Sequence, residues 1–238
     1  MSTASARAPL PLRASGDHPP MGAPVILRPK EGTPHTGTVI WTHGLGDSAN
    51  GWLSFANALR TVHGLQGVKW VLTNAYDIPR PAAPPAEEDT EGMAASVQEL
   101  ESLIAKEVDA GVEEGSIIVG GFSQGGVLSL LTGLTSPRQL GGVCVLSGFL
   151  ALTHEDKIKS HLSPTALTTP IFWAHGTADA MISFARAQSG RKYLVDELGL
   201  TEGDGRLETR QYEGMGHQLG AAEFDEVREW LVKRFADQ

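Results

Sequence analysis

Short apolar runs alternate with longer amphipathic stretches along most of this chain. The short runs are rich in β-branched residues and predict strands at 25–27, 38–42, 68–72, 116–119, 142–146, 171–174 and 207–212. The amphipathic stretches predict helices at 52–62, 91–108, 126–134, 184–198 and 222–235. Because strands and helices alternate, we expect an α/β fold in which helices cover both faces of a mostly parallel central sheet.

The predicted helix over 91–108 has the clearest amphipathic pattern. Its apolar residues recur at intervals of three and four, at Val97, Leu100, Ile104 and Val108. Residues at this spacing lie on one face of a helix, so the pattern predicts a helix that packs against the sheet.

The alternation continues on both sides of a proline-rich segment, 79–85, which therefore predicts an extended loop rather than a domain boundary. We expect a single α/β domain over residues 23–238. Residues 1–22 contain Arg7 and Arg13 and resemble a weak organelle-targeting sequence in composition. The prolines of this segment favour a disordered tail instead.

Composition narrows the function classes. The formal net charge of −9, without a basic run, argues against a nucleic-acid groove or a polybasic membrane patch. The single cysteine, Cys144, excludes an internal disulfide, and its apolar neighbours predict a buried thiol rather than a nucleophile. No stretch is apolar over the ~18 residues that a membrane helix requires. We therefore expect a cytoplasmic protein, with the nucleus as a second compartment.

The segment Gly121-Phe122-Ser123-Gln124-Gly125-Gly126 follows an apolar strand and matches the GxSxG nucleophile elbow. A serine at the tip of a tight strand-to-helix turn has a strained backbone, and residues two positions away collide if they carry a Cβ atom. Gly121 and Gly125 remove those atoms. The pattern predicts Ser123 as the nucleophile of a serine hydrolase. The alternative is a glycine-rich turn whose serine only caps a helix.

The order of a catalytic triad in such a fold identifies the other two members. The acid and then the histidine follow the serine, each at the carboxyl end of a strand. Of the acids after Ser123, only Asp179 closely follows a strongly apolar strand, and His217 alone of the eight histidines lies beyond it. We expect His217 to take the Ser123 proton while Asp179 orients its ring. His43 and His175 also end strands, but their positions in this order predict structural roles.

Two backbone N–H groups are expected to bind the substrate oxygen: that of Gln124, after the nucleophile, and that of Leu45, in the loop after an early strand. The segment 44–49 in the same loop also matches a GxGxxG/A dinucleotide fingerprint. The ribose-binding acid of that fingerprint is missing, because no Asp or Glu occurs between Asp47 and Asp77. Metal catalysis has less support, since the chain has no HExxH motif or other paired ligand spacing.

Taken together, the motif loops resemble those of the acyl-protein thioesterase family, which also contains small lysophospholipases and carboxylesterases. The resemblance spans residues 25–235 and rests on four segments in the same order, His43-Gly44-Leu45-Gly46-Asp47, Gly120-Gly121-Phe122-Ser123-Gln124-Gly125-Gly126, His175-Gly176-Thr177-Ala178-Asp179 and Tyr212-Glu213-Gly214-Met215-Gly216-His217. It implies a compact α/β-hydrolase fold without a large cap domain and with no cofactor. It gives Ser123, Asp179 and His217 the triad roles, and Leu45 and Gln124 the oxyanion roles.

The resemblance further implies S-acylated proteins, lysophospholipids or simple esters as substrates, peripheral contact with membranes, and a monomer or weak homodimer. An acyl groove beside the triad is expected, and four apolar residues near the motif loops are candidates for its lining, with ordinary core packing as the alternative: Leu150, Leu152, Met181 and Leu219.

The chain departs from the family in one place. Thr73-Asn74-Ala75 runs almost directly into Tyr76-Asp77-Ile78, where the family has a lid connection that is longer by roughly fifteen residues. A shortened lid removes substrate contacts and shielding from water. The second hypothesis is therefore a non-catalytic or impaired relative that binds acyl chains or lipids.

Overall fold

The computed structural model describes residue 12 and residues 22–74, 88–152, 154–203 and 205–236. Within these ranges the chain forms seven strands, namely β1 (Val25–Leu27), β2 (Gly37–Thr42), β3 (Val68–Thr73), β4 (Ile117–Phe122), β5 (Gly142–Leu146), β6 (Ile171–Gly176) and β7 (Leu207–Tyr212). They form one sheet in the order β1-β3-β2-β4-β5-β6-β7. Strand β1 is antiparallel to β3, and the other neighbours are parallel.

The mostly parallel sheet confirms the fold class, and the structure extends two of the predicted strands by more than one residue. Strand β4 continues through two glycines to Phe122, and β6 continues to Gly176. The added parts contain Gly120 and Gly121 in β4 and Gly176 in β6, and glycine does not predict a strand because it is rare in strands. Gly120 is nevertheless required inside β4, since a Cβ atom there would lie 2.7 Å from Cζ3 of Trp41.

The five predicted helices are present as α1 (Leu53–Arg60), α2 (Thr90–Asp109), α3 (Gln124–Thr135), α4 (Phe184–Asp196) and α5 (Ala221–Ala236). Three short 3-10 helices, which the sequence pattern does not predict, lie at Ala49–Trp52, Glu114–Ser116 and His154–Ser160. Almost all of the predicted tail, 1–22, and the whole proline-rich segment, 79–85, lie outside the described residues. No described helix has both the length and the apolar content that a membrane crossing needs.

Alternation along the strands builds a separate core on each face of the sheet. In β4, Ile117 and Val119 belong to one core and Ile118 belongs to the other. Helices α2, α3 and α4 cover the first core, and α1 and α5 cover the second. Because both faces are covered, the loops at the carboxyl ends of the strands are left to form a site at one edge of the sheet.

The start of α5 contains a fully buried acid, Glu223. Its Oε2 accepts a hydrogen bond from the backbone N–H of Gly220 at 3.3 Å, while its Oε1 is buried without a hydrogen-bond partner among the described residues. Burial raises the pKa of Glu223 to about 7, the bond from Gly220 opposes this rise, and the negative charge of Glu226 adds to it. The carboxyl group is therefore largely protonated in slightly acidic solution.

Replacing this acid should stabilise the protein in a pH-dependent way. Between pH 4.5 and about 7 the folded chain holds a proton that the unfolded chain releases, so wild-type stability falls as the pH rises through this window. Glu223→Gln removes that loss. We expect it to raise the free energy of unfolding by about 2–3 kcal/mol at pH 8 and to have little effect at pH 4.

Denaturant unfolding at the two pH values measures this difference. Glu229→Gln is the matched control, because the Glu229 side chain lies on the same helix and is 73% exposed. An equal effect of Glu223→Gln at both pH values would contradict the prediction.

Candidate active site

Ser123 lies at the tip of the turn between β4 and α3, where the sequence predicts a nucleophile elbow. Its backbone has φ 55° and ψ −120°, a conformation that residues with a side chain rarely adopt. The Ser123 N–H donates to the carbonyl of Leu146 at 2.8 Å, and its carbonyl accepts from Val127 N–H at 3.1 Å. The turn is thus fixed both to β5 and to the first turn of α3, and Ser123 is 7% exposed.

The flanking glycines let two stretches of backbone approach each other. A Cβ atom on Gly121 would lie 2.5 Å from the Gly125 carbonyl carbon and from the Thr42 oxygen. A Cβ atom on Gly125 would lie 2.1 Å from the Thr42 oxygen. The glycines are therefore needed because the start of α3 packs directly on the end of β2, and this contact fixes the position of Ser123.

We expect Gly125→Ala to destabilise the protein by about 3 kcal/mol, because the new methyl group meets backbone that has no rotamer to change. Labelling of Ser123 by a fluorophosphonate probe should fall with it, since the elbow must open. Gly115→Ala is the control, as a Cβ atom at Gly115 meets nothing within 4 Å. Equal unfolding midpoints and equal labelling for the two variants would refute the steric account.

Asp179 and His217 lie in the loops after β6 and β7 and contact each other. One oxygen of Asp179, Oδ1, accepts the N–H groups of Met181 at 2.8 Å and Ile182 at 2.9 Å. The other, Oδ2, lies 2.7 Å from Nδ1 of His217. Because a carboxylate only accepts, Nδ1 carries the hydrogen, and Nε2 of His217 is left to accept a proton.

The two loops pack tightly enough to hold this pair in place. The Asp179 side chain is completely buried, and that of His217 is 14% exposed. The backbone of Gly176 approaches the carbonyl of Met215 so closely that a Cβ atom would lie 2.1 Å from it. The His217 ring lies 4.8 Å, centroid to centroid, from the ring of Phe122, the residue before Ser123. The Asp179–His217 pair therefore lies beside the end of β4 that leads into the Ser123 turn.

The predicted oxyanion loop lies against the elbow. A Cβ atom on Gly44 would lie 3.2 Å from the Cβ atom of Ser123. Asp47 braces the loop, since its carboxylate accepts the N–H of Ser48 at 2.8 Å and the indole N–H of Trp52 at 3.1 Å.

Each of the two predicted donor residues is next to Ser123 or next to a residue that approaches it. Leu45 follows Gly44 and is 42% exposed, and Gln124 is the first residue of α3. A helix amino terminus favours a developing negative charge, so the position of Gln124 fits an oxyanion donor.

The four predicted groove residues have different environments. Leu150 and Leu152 are 5% and 2% exposed and pack in the first core, as in the alternative interpretation. Leu150 is covered by the close approach of α4, where a Cβ atom on Gly190 would lie 2.9 Å from that of Leu150. Leu219 is partly buried against the second core, and Met181 is 51% exposed. The acyl groove stays a prediction for which Met181 is the most accessible candidate.

The sequence predicts a structural role for His175, and the structure places its ring beside Asp179, the predicted triad acid. Nε2 of His175 lies 2.8 Å from the carbonyl of Ile182 and 3.4 Å from Oδ2 of Asp179. The interval of four residues between His175 and Asp179 is the sequence signal for this contact, but the order of the triad residues along the chain does not use it. Within the described ranges, no group of three or more His, Cys, Asp or Glu side chains is arranged to hold a metal ion.

Comparison with known proteins places the whole described domain in one family. Residues 22–234 match the family model described as phospholipase/carboxylesterase. The chain is 39% identical over 219 residues to acyl-protein thioesterase 1 of Yarrowia lipolytica, with 85% of this chain and 94% of the relative covered. It is 35% identical over 232 residues to the protein of the same name in Cryptococcus neoformans, with 87% and 95% covered.

Solved structures agree with this match. SOBER1 of Arabidopsis thaliana is 28% identical, with a TM-score of 0.73, over 83% of this chain and 98% of that one. Acyl-protein thioesterase 2 of Zea mays is 26% identical, with a TM-score of 0.71, over 90% and 99%. These neighbours confirm the α/β-hydrolase fold without a large cap domain.

Proposed function

The chain belongs to the phospholipase/carboxylesterase family of α/β-hydrolases, and from this premise we propose that it hydrolyses long-chain acyl thioesters on proteins, and esters such as lysophospholipids, through an acyl-enzyme. The observation that carries the proposal is the Asp179–His217 hydrogen bond of 2.7 Å beside the strained Ser123 elbow. Neither a glycine-rich cap nor a passive binding pocket needs this combination of a strained serine and an oriented histidine.

In the proposed reaction the Ser123 hydroxyl oxygen attacks the acyl carbonyl carbon while Nε2 of His217 takes the hydroxyl proton. The Asp179 carboxylate stabilises the imidazolium that forms. The N–H groups of Leu45 and Gln124 bind the oxyanion, and the thiol or alcohol leaves with the proton from His217. A water molecule then attacks the acyl-enzyme with the help of His217, which releases the fatty acid and restores Ser123.

Two features support thioesters of S-acylated proteins as substrates. The relatives from Yarrowia lipolytica and Cryptococcus neoformans, matched over nearly their whole length, are named acyl-protein thioesterases. Two large apolar side chains, Leu45 and Met181, are 42% and 51% exposed next to the site residues and offer apolar surface to an acyl chain. A cytoplasmic monomer or weak dimer that touches the membrane surface peripherally fits such substrates.

The second hypothesis, a non-catalytic lipid-binding relative, is not supported by the comparisons, because these relatives are named as enzymes. The segment that motivated it, after residue 74, lies largely outside the described residues. The alignment to the Yarrowia lipolytica protein is 219 positions long but covers only 85% of this chain, so that relative has residues that this chain lacks. The described part of this chain nonetheless contains Ser123, Asp179 and His217.

Ser123→Ala should abolish turnover of palmitoyl-cysteine peptides and of short p-nitrophenyl esters, as well as labelling by a fluorophosphonate probe, because the attacking oxygen is gone. Ser129→Ala, a buried serine in α3, is the matched control and should keep all three. Turnover by Ser123→Ala near the wild-type rate would overturn the proposed function. Rates on palmitoyl-cysteine peptide and lysophosphatidylcholine, measured side by side, then rank the two substrate classes.

Asp179→Asn should lower kcat by about 10⁴-fold while the fold is kept, because an amide no longer fixes the hydrogen on Nδ1 of His217 or balances the imidazolium charge. Steady-state kinetics and a thermal unfolding curve test this. Asp196→Asn, in an exposed pair with Lys192 at the end of α4, is the control. A loss of less than tenfold would show that the pair does not act as proposed.

A further inference from the structure

The ring of His175 is completely buried at the end of β6, and its surroundings fix which nitrogen carries the hydrogen. Nε2 faces two oxygens, the Ile182 carbonyl at 2.8 Å and Oδ2 of Asp179 at 3.4 Å. Both oxygens only accept hydrogen bonds, so Nε2 must be the donor. Nδ1 is buried and has no hydrogen-bond partner in the described part of the chain.

The charge of His175 follows from the same surroundings. Burial lowers its pKa most strongly, and the positive charge of Arg191 lowers it further, while the Ile182 carbonyl and Asp179 oppose the change. Arg191 is bonded to strands β6 and β7, since its guanidinium donates to the carbonyls of Trp173 at 3.0 Å and Arg210 at 3.1 Å. His175 is therefore a neutral imidazole with its hydrogen on Nε2.

Hydrogen bonds link His175 to Asp179 through Ile182. Its Nε2–H holds the carbonyl of Ile182, and the N–H of the same Ile182 donates to Oδ1 of Asp179 at 2.9 Å. Ile182 thus links the rigid end of β6 to the carboxylate. With Oδ1 occupied in this way, Oδ2 is the oxygen that remains for Nδ1 of His217.

We propose that His175 is a positioning residue of the reaction: its neutral Nε2–H imidazole clamps Ile182 to β6 and thereby holds the Asp179 carboxylate toward His217. The proposal rests on the proposed function, in which Asp179 and His217 are triad members. His175 acts only through Asp179 and makes no contact with the reacting atoms. Without this hydrogen bond, the Ile182 end of the loop loses its link to His175 on β6, and the carboxylate can turn away from the imidazole.

Two substitutions of similar polarity separate positioning from packing. The amide nitrogen of Gln in His175→Gln can reach the place of Nε2 and donate to Ile182, whereas the shorter amide of His175→Asn reaches only the place of Nδ1. We expect His175→Asn to lower kcat by about tenfold to hundredfold with KM little changed, because a small misplacement of a catalytic group has effects of this size. His175→Gln should recover most of that loss.

A second readout follows the Asp179–His217 hydrogen bond without needing turnover. The Nδ1 proton of His217 should give a far-downfield proton NMR signal in the wild-type protein and in His175→Gln. The signal should weaken or move upfield in His175→Asn. His35→Leu is the matched control and should keep both kcat and the signal. His35 bonds to Gly37 and Thr38 at the amino end of β2, whereas the candidate site lies at the carboxyl ends of the strands.

The proposal is overturned if His175→Asn keeps the wild-type kcat and NMR signal, or if His175→Gln recovers neither. An equal loss in both variants, with a matching loss of thermal stability, also overturns it and leaves a packing role. Failure of the proposed function is recognised separately, because it requires Ser123→Ala to retain turnover, a result that does not depend on the NMR signal.

Discussion

The start of α3 touches the end of β2, and the rest of the site is arranged around this contact. Backbone approaches backbone at Gly125 and Thr42 more closely than any side chain would allow. The approach forces Ser123 into a left-handed conformation at the tip of the turn, and the neighbouring strand β5 holds it there through Leu146. Such strain persists only where the surrounding structure determines it fully, and here two strands and a helix do so.

The two cores explain why the strands that hold Ser123 are rigid. Strand β4 lies in the middle of the sheet and has buried residues on both faces. A shift of its register by one residue would exchange the side chains of the two cores. The carboxyl ends of β4, β6 and β7 are therefore fixed relative to one another, and the three separate loops that carry Ser123, Asp179 and His217 need no cap domain to hold them in place.

How far the sequence predicts the structure depends on how local each signal is. The strands, the helices and the elbow follow from periodicity and from the spacing of Gly121 and Gly125, which are local properties. Asp179 and His217 follow from their order along the chain, because in a parallel sheet chain order and position at the edge are linked. Their hydrogen bond joins loops 38 residues apart and could be inferred only through that link.

The remaining features depend on tertiary contacts that no local pattern records. Leu150 and Leu152 have the apolar character of groove residues, but both lie in the first core, where the approach of α4 at Gly190 covers Leu150. A groove and a core use the same residue types, so only tertiary packing distinguishes the two predictions. The close approach at Gly120 similarly depends on Trp41, which lies on a different strand.

Two buried polar groups bond to the backbone of the loops that carry the histidine–acid pair. Glu223 receives the Gly220 N–H at the exit of the loop that carries His217, and His175 holds Ile182 in the loop that carries Asp179. Each is completely buried and has one polar atom without a partner in the described structure, an arrangement that costs stability and costs much more when the group is charged. Both have pKa values shifted toward the neutral form. Asp179 is the acid that bonds directly to His217, with 2.7 Å between its Oδ2 and Nδ1 of the imidazole, and the two buried groups act on this pair through the backbone of the loops.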